Sequence, residues 1–596
     1  MLEIYRKTLA LLTRREKRQG AWVLFMVLIM ALLETIGVAS VMPFLSVLSN
    51  PEVVHTNPWL SRVYDGLGFQ STQSFLMALG GAAFFLVIFS SVFRVATTYV
   101  MNRFAQMRRH TVGQRLLETY LRQPYEYFLN RHSGDMAKSI LSEVDQLVLN
   151  VIRPGVEAVA YAVVALAIIV LLVIMDPLVA LVVGVVIGGM YTLIFLGVRG
   201  MLARVGRDRA IANRERFTAA GEALGGIKDI KLLGREYAYL SMFRPPSIRY
   251  AQHQATNRTL SEAPKFIIEG VGVGGVIVLA LVLMATRDNL GEVIPLLGLY
   301  ALAAYRLLPA ASKIYMGMAK LRFGGSAVLD IYDDLQARRR LAEINQPLPP
   351  PMGVSHSIEL REVAYHYPNT IQPALSEINM TIPRGSSVGI VGGTGAGKTT
   401  LVDILLGLLT PDQGGLRVDG SPVTADNLRA WKRTLGYVPQ SIFLVDASVT
   451  ENIALGVPPD QVDVEQVKRC ARMAQLEEFV NQELPEGYDT KVGERGVRLS
   501  GGQRQRIGIA RALYHDPAVM VFDEATSALD NLTEKAVLEA IESFSGARTI
   551  IMIAHRLTTV EHCDCIYVLE KGRIQAAGPY KTLLAQNEGF RAMVMT

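Results

Sequence analysis

The stretch "GIVGGTGAGKTT", residues 389–400, decides half of the fold. It carries the spacing G-x-x-x-x-G-K-T from Gly392 to Thr399, after the apolar run "SSVGIVG" and before the helical pattern "TLVDILLGLL". A strand running through a glycine-rich turn into a helix presents successive backbone N–H groups to an anion. The helix N-terminus adds favourable field. Gly392, Gly393, Thr394, Gly395, Ala396 and Gly397 form the phosphate-cradling loop, with Lys398 for the β/γ oxygens, the Thr399 hydroxyl for Mg2+, and Thr400 next in the helix. A bare glycine-rich turn leaves the lysine unexplained, so a nucleoside triphosphate with Mg2+ is expected here.

Downstream, "AVMVFDEATSALD" (518–530) ends an apolar strand in an acidic pair. Asp523 suits the Mg2+-side carboxylate, and Glu524 stands where a base polarises attacking water. Short β-branched runs alternate with helical patterns from residue 355 to 596, the signature of an α/β domain. Before it, "RRRLAEINQPLPPPMG" (338–353) is a charged helix end followed by a proline-rich linker.

The N-terminal half is of another kind. The chain has 596 residues, 50% of them hydrophobic and 19% charged. Six apolar stretches reach the roughly 20 residues that a helix needs to cross a bilayer: about 22–48, 74–100, 155–175, 177–198, 264–286 and 290–312. The third and fourth are separated by Asp176-Pro177 and should form a tight hairpin. Arg6, Lys7, Arg14, Arg15, Lys17 and Arg18 precede the first, and 103–153 and 199–249 are rich in arginine. The loops 49–73 and 287–289 hold one arginine each, so both termini and the two long loops are expected in the cytosol. The first 22 residues read as a retained amphipathic surface helix, not a signal peptide. The arginines cluster in loops and not along one face, which excludes nucleic acid as a partner. Three cysteines, Cys470, Cys563 and Cys565, have no metal-ligand spacing and fit a reducing compartment.

Between the phosphate loop and the acidic pair lies "VRLSGGQRQRIGIARAL" (497–513), which resembles the signature motif of ATP-binding-cassette (ABC) ATPases at Leu499 to Gln503. The rest of that family's set follows in order. Tyr367 matches the adenine-stacking aromatic, Gln440 the Q-loop residue that also approaches Mg2+, Ser527 to Asp530 the D-loop, and His555 the switch histidine. The resemblance implies a type I ABC exporter half-transporter: an all-α six-helix transmembrane domain (1–337), a linker (338–354) and an α/β P-loop ATPase domain (355–596). It implies Glu524, His555 and Gln440 as the catalytic set, and Ser500, Gly501, Gly502 and Gln503 closing on a partner's ATP in a homodimer. "GERG" (493–496), 130–147 and 227–243 resemble the segments that couple ATPase and membrane domains.

The cations inside the apolar helices have two readings. By helical rise Arg306 lies about 24 Å, Lys313 about 35 Å and Arg94 about 30 Å along their helices, all in the cytosolic half. They either meet an anionic cargo or close ion pairs with Glu34 or Glu269. Segments 32–45, 91–94, 264–272 and 305–314 resemble those of bacterial flippases for lipid-linked oligosaccharides in protein glycosylation. That resemblance implies cargo binding by Arg94, Arg306 and Lys313 in a multi-pass protein of the bacterial inner membrane. Glu34 is expected nearer mid-bilayer, apart from them. The loop 51–69 resembles a short external helix with Trp59, Leu60, Val63, Tyr64 and Leu67 on one stripe. The alternative is an exporter of other lipids, lipid A-like ones among them, or of amphiphilic drugs.

Overall fold

A computed structural model describes residues 2–129, 131, 133–175, 177–286, 290–336, 347–368, 370–493, 496–524, 546–554 and 556–595. Asp176, residues 287–289, much of the proline-rich linker, Glu494, Arg495, Ser527 to Asp530 and His555 lie outside them. The chain divides into two compact units: residues 1–123 with 127–342, and 124–126 with 343–596.

The first unit is helical. Among the described residues, Arg14–Ser49, Thr72–Leu121, Gly134–Met175 and Ala180–Gly225 are long and apolar enough to cross a membrane. The stretches 264–286 and 290–312 lie in the helices Glu236–Thr286 and Leu290–Phe323. Large apolar side chains stand outward on these helices; Phe84, Ile174, Leu178 and Leu193 are each at least 70% exposed. Water would not tolerate that density of apolar surface, whereas lipid does. Thr72–Leu121 has 50 residues, about 75 Å of helix against a hydrocarbon core of about 30 Å, so it continues well past the bilayer.

The helices pack in pairs: Arg14–Ala39 on Thr72–Leu121, Arg153–Met175 on Leu290–Phe323, and Pro177–Gly225 on Glu236–Thr286. Small residues allow the second contact. A Cβ on Gly317 would stand 2.6 Å from Ala158 Cβ and 2.7 Å from the Pro154 carbonyl oxygen. The first apolar stretch is not one helix. It breaks at Ser40 into Arg14–Ala39 and Val41–Ser49, because Pro43 lacks an N–H and its ring crowds the carbonyl of Ala39 four residues back. The stretch 133–152 also departs from a simple helix. Ser133–Lys138 runs into π-helical turns at Ser139–Glu143 and Val148–Ile152, the latter ending just before Pro154. There Glu143 and Arg209, both fully buried, make a forked ion pair at 2.9 and 3.2 Å, joined by Asn213.

At the N-terminus the helix Leu2–Leu11 is followed by a bend capped by Thr13, whose side chain and that of Glu16 satisfy each other's backbone N–H. The 51–69 loop does form a helix, Pro58–Gly66, but its apolar residues divide. Tyr64 turns inward onto Phe69 and Phe75, while Trp59, Val63 and Leu67 face outward.

The second unit has two sheets. An antiparallel one has the order β2-β1-β4-β5, with β1 Ser357–Tyr365, β2 Leu375–Pro383, β4 Gln413–Val418 and β5 Ser421–Pro422. The other has the order β10-β9-β3-β8-β7-β6, with β3 Ser387–Gly392, β6 Leu435–Val438, β7 Val519–Asp523, β8 Thr549–Ile553, β9 Cys565–Glu570 and β10 Arg573–Gly578. Strands β7 and β8 are buried on both faces, which is why they read as unbroken apolar runs. Met520 and Phe522 enter one core with Ile550 and Met552, and Val519 and Val521 the opposite core with Ile551 and Ile553, as a period of two requires.

Candidate functional site

In an open parallel sheet, ligands bind beyond the carboxyl ends of the strands. Here β3, β8, β7 and β6 are neighbours and parallel. The phosphate loop follows β3, Asp523 and Glu524 close β7, and Gln440 follows β6 by two residues. Residues scattered from Gly392 to Glu524 thus converge at the carboxyl ends of these strands. His555 follows β8 by two positions but lies outside the described residues.

The loop has the conformation its glycines permit. Gly397 has φ +101°, and a Cβ there would stand 2.9 Å from the Ala374 carbonyl oxygen. Gly392, Gly393, Thr394, Gly395 and Ala396 precede it, and the helix Lys398–Leu405 starts directly after it. The Lys398 ammonium reaches back over the loop, donating to the carbonyls of Gly392 at 2.7 Å and Gly393 at 3.1 Å. Burial lowers its pKa, against the pull of Glu524 and Asp523. Thr399 is exposed at the helix start, whereas Thr400 is buried and meets the Tyr367 hydroxyl at 3.0 Å.

Asp523 is buried and accepts from the Tyr437 hydroxyl at 3.3 Å. Glu524 accepts from the Gln440 amide at 2.5 Å. Its backbone is left-handed, with φ +50°, and its N–H donates to the Ile553 carbonyl at 3.1 Å. A carboxylate held in that conformation by an adjacent strand is aimed by its surroundings and not by local preference. Thr399, Asp523 and the Gln440 amide offer oxygen donors only, the set that Mg2+ takes; bound there, the ion would neutralise phosphate charge. The signature residues build a second anion-facing element. Ser500 and Gln503 cap each other at 3.2 and 2.8 Å, leaving Gly501 and Gly502 at the N-terminus of the helix Gly501–Leu513.

Two residues escaped the sequence reading. Tyr437 and Asp403 both face Asp523, and burial together with Asp523 pushes the Asp403 carboxyl up to about 6. Asp403 lies on the inner face of the helix after the loop, so only its position five residues beyond Lys398 could have marked it.

The first unit contains the second candidate site. Arg94 and Arg306 do meet, but around an acid: both guanidiniums reach Glu34 Oε1 at 3.4 Å. The expectation that Glu34 lies apart from them is overturned. Depth counted along each helix omits the reach of an arginine, which is longer than a helical turn of 5.4 Å. Glu34 is 4% exposed and faces two cations, leaving a net positive charge. Lys313 does not join them. It meets Glu157 at 3.4 Å, and Arg153 meets the same carboxylate at 2.9 Å. Glu269 pairs with Lys265 on its own helix.

Residues 22–285 match the family model described as ABC transporter transmembrane region, and residues 375–527 match the one described as ABC transporter. The ATP-dependent lipid A-core flippase of Alkalilimnicola ehrlichii is 31% identical over 518 residues, covering 85% of each chain. The heterocyst differentiation ATP-binding protein HepA of a Nostoc species is 29% identical over 516 residues, covering 84% of this chain and 82% of its own. A solved bacterial Atm1-family ABC exporter with ATP bound shares the fold, with TM-score 0.76 and 23% identity over 97% of each chain. The chain belongs to the ABC transporter family: it is an exporter in which a helical transmembrane domain precedes an ATPase domain that uses Mg2+ and ATP to drive transport.

Proposed function

We propose that this exporter flips a phosphate-bearing lipid amphiphile of the lipid A class from the inner to the outer leaflet of a bacterial inner membrane. The observation that carries the reading is the pair of guanidiniums, Arg94 and Arg306, on the single buried carboxylate of Glu34. One charge satisfies only one of them, so a second anion is favoured at that place. Lys313 and Arg153 around Glu157 repeat the same excess, and the similarity to lipid A-core flippases points to the same cargo chemistry. A polyprenyl-pyrophosphate oligosaccharide is the second reading, favoured by the outward apolar residues of the helix Pro58–Gly66.

The chain works as a homodimer in this proposal, because one ATPase domain carries one phosphate loop and one signature. ATP then lies between Lys398 and Thr399 of one copy and Ser500 to Gln503 of the other, with Tyr367 against adenine. Glu524 takes the proton of the attacking water, while Gln440 and His555 position it. Residues 1–337 serve as the membrane domain, 338–354 as linker and 355–596 as the ATPase domain, with both termini cytosolic by the arginine distribution.

The test is ATP hydrolysis and leaflet exchange in proteoliposomes carrying lipid A, a polyprenyl-pyrophosphate glycan, neutral lipid or a cationic drug. Stimulation by lipid A above the glycan is expected. Stimulation by the drug alone would overturn the reading.

A further inference from the structure

A groove of about 700 Å3 runs between the start of the helix Arg14–Ala39 and the C-terminal half of Thr72–Leu121. It lies where both helices pass from apolar to charged sequence, that is, at the level of the membrane–cytosol interface. Its apolar end is walled by Trp22, Val23 and Val100, and Trp22 is 69% exposed at the rim. Four arginines also line it: Arg103, one helical turn beyond Val100, and Arg15, Arg108 and Arg115.

Of the four, only Arg108 meets an acid among the described residues. Glu16 is taken by Arg108 at 2.5 Å and by the Thr111 hydroxyl at 2.7 Å, and Glu118 by Arg122. Arg115 donates to the Leu11 carbonyl oxygen at 2.6 Å, a contact that leaves its charge uncompensated. Arg15 and Arg103 make no ion pair among the described residues. Arg108 is 4% exposed, and its Nε has no hydrogen-bond partner. A cavity with an apolar end, an interfacial tryptophan and several uncompensated guanidiniums has the chemistry of a phospholipid site. Arginine forks match phosphate oxygens, and the cytosolic leaflet supplies anionic headgroups at this depth.

We propose that this groove binds an anionic phospholipid of the inner leaflet, its phosphate held by Arg15 and Arg103 and its chains leaving past Trp22. The site is separate from Arg94, Arg306 and Glu34, so it stands or falls independently of the cargo reading.

Trp22 is its own reporter. The full-length protein with Trp59→Phe is placed in nanodiscs of phosphatidylcholine containing either brominated phosphatidylglycerol or brominated phosphatidylcholine. Trp431, buried in the ATPase unit, supplies a constant background. Quenching of Trp22 should half-saturate at a mole fraction about tenfold lower for the anionic lipid. Arg15→Gln with Arg103→Gln should bring the two lipids within about twofold, with melting temperature and basal ATP hydrolysis unchanged. Equal quenching by both lipids in the parent, or a preference that survives the double substitution, would overturn the proposal. Reversal of the quenching preference by millimolar inorganic phosphate would overturn it too, since the groove would then take any phosphate and not a lipid headgroup.

Discussion

Arg306 and Glu34, 272 positions apart in the sequence, meet at 3.4 Å, and the same carboxylate oxygen receives Arg94 at 3.4 Å. Because the acid has two partners, loss of one arginine leaves it paired. Arg306→Ala is therefore expected to keep the melting temperature close to that of the parent while transport is lost. Removing Arg94 as well strands a carboxylate that is 4% exposed, at a cost of about 3–5 kcal/mol. Adding Glu34→Gln to that double variant should restore the melting temperature but not transport. If transport returns with stability, the arginines serve the fold alone.

Glu524→Gln should lower ATP hydrolysis by at least about 10²-fold, the usual contribution of a general base, while nucleotide binding is preserved. The amide keeps the shape and still accepts from Gln440 through its oxygen, but it cannot take a proton. Phosphate release and nucleotide binding measured on the same preparation check both halves. Turnover near the parent value would remove Glu524 from the catalytic role.

Asp403 gives a pH dependence with a definite sign. Its carboxyl rises from 3.8 to about 6 on folding, so the folded state favours the protonated acid. The corresponding stability is fully present below about pH 4 and is lost as pH rises through 6. Asp403→Asn should therefore melt higher than the parent at pH 8, by about 1 kcal/mol after solvent screening is allowed for, and equally at pH 4. Thermal melts of nucleotide-free protein across that range would show the convergence; parallel curves would contradict it.

The Glu143–Arg209 pair is fully buried on both sides. Arg209→Ala should destabilise the membrane unit by about 3–5 kcal/mol, since it leaves a buried carboxylate without its counter-charge and with only the neutral Asn213 amide donating to it. Glu143→Leu with Arg209→Met should recover most of that loss, because an apolar pair of similar volume has no charge to desolvate. Denaturation in detergent compares the three proteins.

The ATPase half was legible because its chemistry is local. The residues that cradle phosphate are consecutive, and the strand before them and the helix after them announce themselves by apolar run and periodicity. The acidic pair at 523–524 and the glutamine at 440 each follow an apolar strand, and parallel pairing brings strand ends together. What sequence could not supply was Asp403: a polar residue on a helical face gives no sign of which strand end it will meet.

The membrane half divides differently. Composition by itself determined that the apolar stretches are helices in lipid and that the long ones continue beyond it, since backbone groups in hydrocarbon have no other way to be satisfied. Periodicity also placed Arg306 and Lys313 on related faces, seven residues apart. It could not say that one turns to Glu34 and the other to Glu157, nor that Glu269 stays with Lys265. Those choices depend on the rotation and axial shift of one helix against another, which side-chain packing sets across tens to hundreds of intervening residues. The groove beside Arg15 and Arg103 has the same origin: its cations are visible in the sequence, but their excess over nearby acids exists only once two helices lie side by side.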